Sequence, residues 1–240
     1  MDIVKIQQYS RMEKLKQQNT QLMPPQRYIF GESDSEFVLI QPVDDHDIGL
    51  LENEVKTIKR LTARRFMLVG FKIDDWNSQL SPWCAPPVFG KTPFGDGAQK
   101  TLDYILRTLL PDILHGADGG KKVIIGGYSL AGLFALWCGY QTDRFYGVAA
   151  ASPSVWFPNW IDFAEDNIPR TRSIYLSLGD KEEKTKNAAM PQVGNAIRRQ
   201  REILNTQNIA ATLEWNAGKH FKDSDIRTAK GFAWVMERGE

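Results

Sequence analysis

The segment from Val123 to Tyr140 constrains the fold more than any other part of the chain, because it holds no charged residue. It begins with the β-branched run VII, passes through the small-residue sequence GGYSLAG and continues as the apolar run LFALWCGY. A membrane-spanning helix has a similar length, but four glycines, one serine and two tyrosines interrupt this segment. A buried strand, a tight turn and a buried helix explain the pattern better, and they place Ser129 in the turn.

Apolar runs of strand length alternate with amphipathic segments along most of the chain. We predict strands at 27–31, 37–41, 65–71, 121–125, 147–151, 173–178 and 210–215. We predict helices at 47–63, 97–114, 130–140, 190–206 and 224–237, and a long irregular loop at 72–97. Several strands are apolar without alternation, which is typical of an α/β fold with a mostly parallel central sheet and helices on both faces. Residues 26–240 are predicted to form a single domain, preceded by an N-terminal arm or helix at 1–25.

Composition narrows the functional classes. The net charge is +1 and no block of one sign occurs, so we expect no nucleic-acid partner. The two cysteines, Cys84 and Cys138, lie far apart and form no CxxC pair, which argues against a disulfide framework or a thiolate zinc site. The polar N-terminus lacks the apolar centre of a signal peptide, so we expect a cytoplasmic protein without a membrane partner.

The turn around Ser129 fits the geometry of a nucleophile elbow. A sharp strand-to-helix turn requires small residues two positions on either side of its apex, and here these are Gly127 and Ala131. Such a turn lifts the Ser129 hydroxyl above the carboxyl edge of the sheet. It also aims the backbone N–H of Leu130 at a developing oxyanion. The simpler alternative is a tight βα turn that merely contains a serine.

A serine nucleophile needs a base and an orienting carboxylate, which in this architecture follow it along the chain. Of the three histidines, only His220 lies after Ser129, in the loop between the last strand and the last helix. The charged loop after the strand at 173–178 offers the carboxylates of Asp180, Glu182 and Glu183. The residues alone leave these three acids open.

Four segments together resemble the putative-esterase family of α/β-hydrolases, which includes enterochelin-type siderophore esterases, feruloyl esterases and esterase D-like enzymes. They are GYSLAG at 127–132, SPSVW at 152–156, GDKE at 179–182 and GKHF at 218–221. The resemblance runs from about Phe37 to the C-terminus. It implies an α/β-hydrolase fold and a serine esterase that cleaves a small-molecule carboxylic ester through an acyl-enzyme. It also implies that no metal or organic cofactor is needed.

The resemblance also assigns individual residues. The family's acid tends to fall three residues after the strand-ending glycine, which places Glu182 ahead of Asp180. The family's second oxyanion donor follows the strand at 37–41. Pro42 has no N–H, so Val43 or Asp44 is implied.

Aromatic residues in the loops at the predicted carboxyl edge are candidates for the substrate cleft. We single out Trp76, Trp83, Tyr128 and Trp156, although such rings also pack long loops onto a sheet. Three other functions stay open at this point. The same site can serve an acyltransferase or a peptidase, and a hydrolase scaffold that has lost catalysis can act as a binding protein.

Overall fold

A computed structural model describes residues 25–88, 90–114, 120–184 and 191–238. Apart from Pro25, the N-terminal arm or helix predicted at 1–25 lies outside these residues. The strands are β1 (Arg27–Phe30), β2 (Phe37–Val43), β3 (Phe66–Lys72), β4 (Lys122–Tyr128), β5 (Gly147–Ala151), β6 (Ser173–Gly179) and β7 (Ala210–Asn216). The helices are α1 (Asp45–Ile48), α2 (Leu51–Leu61), α3 (Trp76–Gln79), α4 (Ala98–Tyr104), α5 (Leu110–Leu114), α6 (Leu130–Gln141), α7 (Trp160–Asp166), α8 (Pro191–Thr206) and α9 (Ser224–Met236). A π-helical turn, Ile105–Leu109, joins α4 to α5.

The seven strands form one sheet in the order β1-β3-β2-β4-β5-β6-β7. Of these described strands, only β1 runs antiparallel to its neighbour, so the predicted mostly parallel sheet is confirmed. The strand order reverses between β2 and β4. In open α/β sheets, ligands bind at the carboxyl ends of the strands beside such a reversal.

Both faces of the central strands are buried, as the unbroken apolar runs predict, whereas the edge strands β1 and β7 are partly exposed. Successive residues of a strand point to opposite faces, so Phe37 and Leu39 pack under α2 and α9, whereas Val38 and Ile40 pack under α4 to α8. Every residue of β2 and β6 is buried. The described helices therefore cover the faces of the central strands, and a ligand can approach these strands from their ends.

The uncharged segment from Val123 to Tyr140 forms most of β4 and α6. Helix α6 is buried from Leu130 to Tyr140, which explains why it lacks a polar face. Within the described ranges, no helix combines the length and the apolarity needed to cross a membrane.

The structure corrects several predicted boundaries. The strand expected to stop before Pro42 continues to Val43; beyond Ile40 it pairs only with β3, so a residue without an N–H is tolerated. The helix predicted at 47–63 is two helices, α1 and α2, separated at Gly49 and Leu50. The loop predicted at 72–97 contains the short helix α3, and α7 was not predicted.

Candidate active site

Four neighbouring loops at the carboxyl edge of the sheet build the candidate site. Ser129 follows β4, Ser152 follows β5, Glu182 lies in the loop after β6, and His220 lies in the loop after β7. These four strands are adjacent in the sheet in the same order as in the chain. Residues that are far apart in sequence are therefore brought side by side.

Ser129 occupies a strained backbone conformation between β4 and α6, with φ 57° and ψ −120°. A Cβ on Gly127 would lie 2.7 Å from the Ala131 methyl group, and one on Gly132 would lie 3.0 Å from the Gly127 carbonyl oxygen. The missing side chain at Gly127 therefore makes the room that Ala131 fills. This is why alanine is accepted at a position usually held by glycine.

Ser129, His220 and Glu182 form a hydrogen-bonded chain. The Ser129 Oγ lies 2.9 Å from His220 Nε2, and His220 Nδ1 lies 2.7 Å from Glu182 Oε2. The imidazole is 15% exposed, whereas the Glu182 side chain is only 1% exposed. Ser129 is half-buried, and the carboxylate lies deeper, behind the imidazole.

Of the three acids left open by the charged loop, the structure brings Glu182 to His220. Asp180 is exposed, and its Oδ1 accepts a hydrogen bond from the Gly218 N–H at 2.7 Å, which fastens the loop that carries His220. Glu183 forms an ion pair with Arg198 of α8 at 2.9 Å.

The surroundings of Glu182 favour its ionised form. Burial acts to raise its pKa, but hydrogen bonding and attraction to His220, together with bonds from the Gly179 N–H and the Ser152 hydroxyl, outweigh burial and lower the pKa. A carboxylate in this state can hold one imidazole tautomer, with the proton on Nδ1, and leave Nε2 free to accept the serine proton.

Sequence reasoning missed the group that ties these loops together, the guanidinium of Arg227 in the first turn of α9. Its Nη1 donates to Glu182 Oε1 at 2.9 Å and to the Tyr128 hydroxyl at 2.9 Å. Tyr128 in turn donates to the backbone carbonyl of His220. Burial and the nearby Glu182 carboxylate raise the pKa of Tyr128 to about 12, so its hydroxyl keeps the proton that it donates. Tyr128 was predicted as a substrate contact, and this stays a prediction; its hydroxyl is bonded to Arg227 and to the His220 carbonyl.

The predicted oxyanion donors differ in their surroundings. Leu130 begins α6, so its N–H belongs to the first turn and has no acceptor within the helix. The Asp44 N–H points at Asp47 Oδ2 at 3.3 Å in the capping box of α1. Val43 ends β2 beside Pro42 and lines a small cavity together with Tyr128. Of the two alternatives after β2, Asp44 is engaged by this capping box, and Val43 is paired with Lys72 in the β2–β3 ladder, so the structure does not decide between them.

The predicted aromatic contacts fall into two kinds. Trp83 donates its indole N–H to the Pro158 carbonyl at 2.9 Å and stacks on Trp160, so it packs one loop against another. Trp156 is half-buried, packs edge-on against Phe94 and lines a groove beside α8. Trp76 begins α3 and, like Trp83 and Trp156, is a partly buried ring that packs against the core. Of these three tryptophans, Trp83 joins two loops and Trp156 borders the groove.

Among the described residues, no group of three or more His, Cys, Asp or Glu side chains is arranged to hold a metal ion.

A family model described as "Putative esterase" matches residues 50–221, more than half of the chain. No curated protein matches the sequence.

Several solved structures share this fold. An IroE-like serine hydrolase from Shewanella oneidensis is 15% identical, with a TM-score of 0.71 over 88% of this chain and 75% of that one. The siderophore hydrolase EstB from Aspergillus nidulans is 16% identical, with a TM-score of 0.64 over 91% of this chain and 97% of that one. The enterobactin esterase FES from Shigella flexneri is 15% identical, with a TM-score of 0.63 over 90% of this chain and 60% of that one. These likenesses confirm the predicted α/β-hydrolase fold.

Proposed function

The chain belongs to the putative-esterase family and is an esterase, and we propose that it cleaves carboxylic esters through a Ser129–His220–Glu182 triad and an acyl-enzyme. The substrate class is a small-molecule ester. The observation that carries the proposal is the 2.9 Å contact between Ser129 Oγ and His220 Nε2, made by a serine held at φ 57°. A hydroxyl is a weak nucleophile near neutral pH unless a base of this kind accepts its proton.

The first half-reaction acylates the serine. As Ser129 Oγ attacks the ester carbonyl carbon, its proton passes to His220 Nε2 and the carbonyl oxygen becomes an oxyanion. The N–H of Leu130, with Val43 or Asp44 as the implied second donor, stabilises that charge, and one such donor contributes about 3 kcal/mol. The C–O bond to the alcohol then breaks, and the alcohol leaves with the proton from His220.

The second half-reaction hydrolyses the acyl-enzyme and regenerates the free enzyme. A water molecule gives a proton to His220 and attacks the acyl carbon, and collapse of the second oxyanion releases the carboxylic acid and restores the Ser129 hydroxyl. Glu182 keeps its charge throughout. It holds the imidazole through Nδ1–H and stabilises the imidazolium formed in each half-reaction.

Labelling with a fluorophosphonate probe tests the proposal, because the probe reacts with an activated serine. We expect wild type to be labelled and to hydrolyse a panel of short, long and aromatic acyl esters. The panel includes enterobactin, because one of the structural neighbours is an enterobactin esterase. Ser129→Ala should lose both properties.

Ser154→Ala is the matched control, since the Ser154 hydroxyl lies only 3.4 Å from Ser129 Oγ. We expect it to keep its labelling. Labelling that persists in Ser129→Ala would overturn the triad assignment. A wild type that takes up no probe and cleaves no ester would instead favour the binding-protein alternative. Product analysis with added alcohols and amines separates hydrolysis from acyl transfer, and peptide substrates test the peptidase alternative.

A further inference from the structure

We propose that Arg227 is a positioning residue for this reaction. It fixes the Glu182 carboxylate and the loop that carries His220 relative to each other, and its charge extends activity to lower pH. The inference rests on the proposed function. It assigns a role to a buried cation that the triad chemistry itself does not use.

Arg227 helps to divide the two oxygens of Glu182 between two tasks. Oε1 accepts three hydrogen bonds, from Arg227 Nη1 at 2.9 Å, the Ser152 hydroxyl at 2.9 Å and the Gly179 N–H at 2.7 Å. Oε2 is left for His220 Nδ1 at 2.7 Å. With three donors on one oxygen the carboxylate cannot rotate without breaking bonds, so Oε2 stays aimed at the imidazole.

The same guanidinium also holds the loop that carries the base. Its Nη2 donates to the Lys219 carbonyl at 3.1 Å and to the Ala217 carbonyl at 3.4 Å. Through the Tyr128 hydroxyl it is linked to the carbonyl of His220 itself. One planar group therefore connects three segments. They are the turn at Ser129, the loop after β6 that carries Glu182 (the acid loop) and the loop after β7 that carries His220 (the base loop). Lysine, a point charge without a planar fork, cannot reproduce this arrangement.

Because Arg227 is buried, its charge acts strongly on the neighbouring Glu182 carboxylate. Both the Arg227 and the Glu182 side chains are 1% exposed, so their ion pair is little screened by water. Other polar groups surround the pair from every adjoining element. They are Tyr128 and Ser129 in the β4 turn, Ser152 after β5, Asp180 in the acid loop, Lys219, Lys222 and Asp223 in the base loop, and Asp47, Glu54 and Asp225 around the cavity behind Tyr128.

Removal of the guanidinium charge should raise the pH of the acid midpoint of activity, and it does so by two routes. Glu182 takes up a proton at a higher pH without its cation, and the imidazolium form of His220 gains stability beside an unshared carboxylate. Both routes move the acid midpoint of the kcat/KM profile to higher pH. A charge that neighbours a titrating group shifts its midpoint by about one pH unit or more, so we expect a shift of about one unit.

The test compares Arg227→Gln and Arg227→Met, which remove the charge, with Arg227→Lys, which keeps it. We expect the neutral variants to lose about 100-fold in kcat/KM, because a small misplacement of the base is that costly, and to show the shifted midpoint. Arg227→Lys should lose about tenfold with the midpoint unmoved. Lys230→Met is the matched control: it removes a cation from the same helix, but one bonded to Glu214 and Asn216.

A second readout does not depend on activity. The chain has three histidines, so an NMR titration with His220→Gln for assignment follows the His220 imidazole directly. If wild type cleaves no ester while the imidazole midpoint still moves in the neutral variants, the proposed function fails and the electrostatic role stands. If wild type is active but Arg227→Gln keeps the wild-type midpoint, the role of Arg227 is refuted alone. Should the neutral variants fail to fold, an Arg227→Lys enzyme as active as wild type would refute the positioning role.

Discussion

Glu54 in α2 allows a quantitative test of the buried carboxyl group behind the candidate site. The residue is 3% exposed, and its Oε2 accepts a hydrogen bond from Gln41 Nε2 at 2.9 Å. Its Oε1 is buried and has no hydrogen-bond partner among the described residues. Burial, with smaller contributions from the carboxylates of Asp47 and Asp225, raises the pKa of Glu54 from 4.5 to about 8, although the bond from Gln41 acts to lower it.

The sign of the pH effect follows from which state holds the proton. Above pH 4.5 the unfolded chain releases the Glu54 proton, whereas the folded chain keeps it until about pH 8. The free energy of unfolding therefore falls as pH rises through this window. At about 1.4 kcal/mol for each unit of pKa difference, Glu54 costs the folded state about 3 kcal/mol more at pH 8 than at pH 5.

Glu54→Gln is the perturbation, since an amide mimics the protonated acid without titrating. Urea unfolding at pH 5 and pH 8 measures the result. We expect the variant to match wild type within about 1 kcal/mol at pH 5 and to exceed it by about 3 kcal/mol at pH 8. Glu52→Gln, on the exposed side of the same helix, should leave the difference between the two pH values unchanged. A Glu54→Gln protein whose stability falls with pH as steeply as that of wild type would refute the reasoning.

Two further predictions concern the proposed triad and its turn. Glu182→Gln should lower kcat by about 10³-fold or more, because an amide does not hold the imidazole tautomer or compensate the imidazolium charge. Asp180→Asn keeps an acceptor for the loop N–H and should remain active in the same ester assay; the reverse ranking would make Asp180 the acid. Gly127→Ala should destabilise the protein by about 2 kcal/mol in urea unfolding, because its methyl group collides with Ala131. Gly49→Ala, at an ordinary helical φ of −65° with its nearest neighbour 3.5 Å away, should change stability by less than about 0.5 kcal/mol, and an equal loss at both positions would contradict the packing account of the elbow.

The sequence predicts the sheet well because its evidence is local. Continuous apolar runs mark strands that are buried on both faces, and each such run proved to be a strand. The turn at Ser129 is equally local, because its steric demand falls on Gly127 and Ala131 within two residues. The weaker predictions depend on competing local interactions. The start of α1 at Asp45, for example, reflects a capping box at Asp44 that the apolar spacing of the following helix does not reveal.

Arg227 escaped prediction for a different reason. Its position in an amphipathic helix is typical of a solvated charge, and nothing within one turn of α9 identifies its partners. Those partners come from the loops after β4, β5, β6 and β7, so they meet only when the sheet is assembled. His220 could be proposed from the sequence because the serine, acid and histidine follow a known order along the chain in this architecture, whereas no comparable rule assigns a cation to the acid.

The serines after β5 show how strand order shapes such a site. Strand β5 lies between the strand that leads to Ser129 and the strand that leads to Glu182, so its loop must pass between the two. Ser154 turns toward the elbow, and its N–H donates to the Ser129 carbonyl at 3.0 Å. Ser152, at a strained φ of 41°, turns the other way and donates to Glu182 Oε1 at 2.9 Å. Small hydroxyl side chains on either side of Pro153 let one short segment fill this gap and bond to both neighbours. The SPS sequence, which formed part of the family resemblance, is thus explained as a short segment that bonds to the Ser129 turn on one side and to Glu182 on the other.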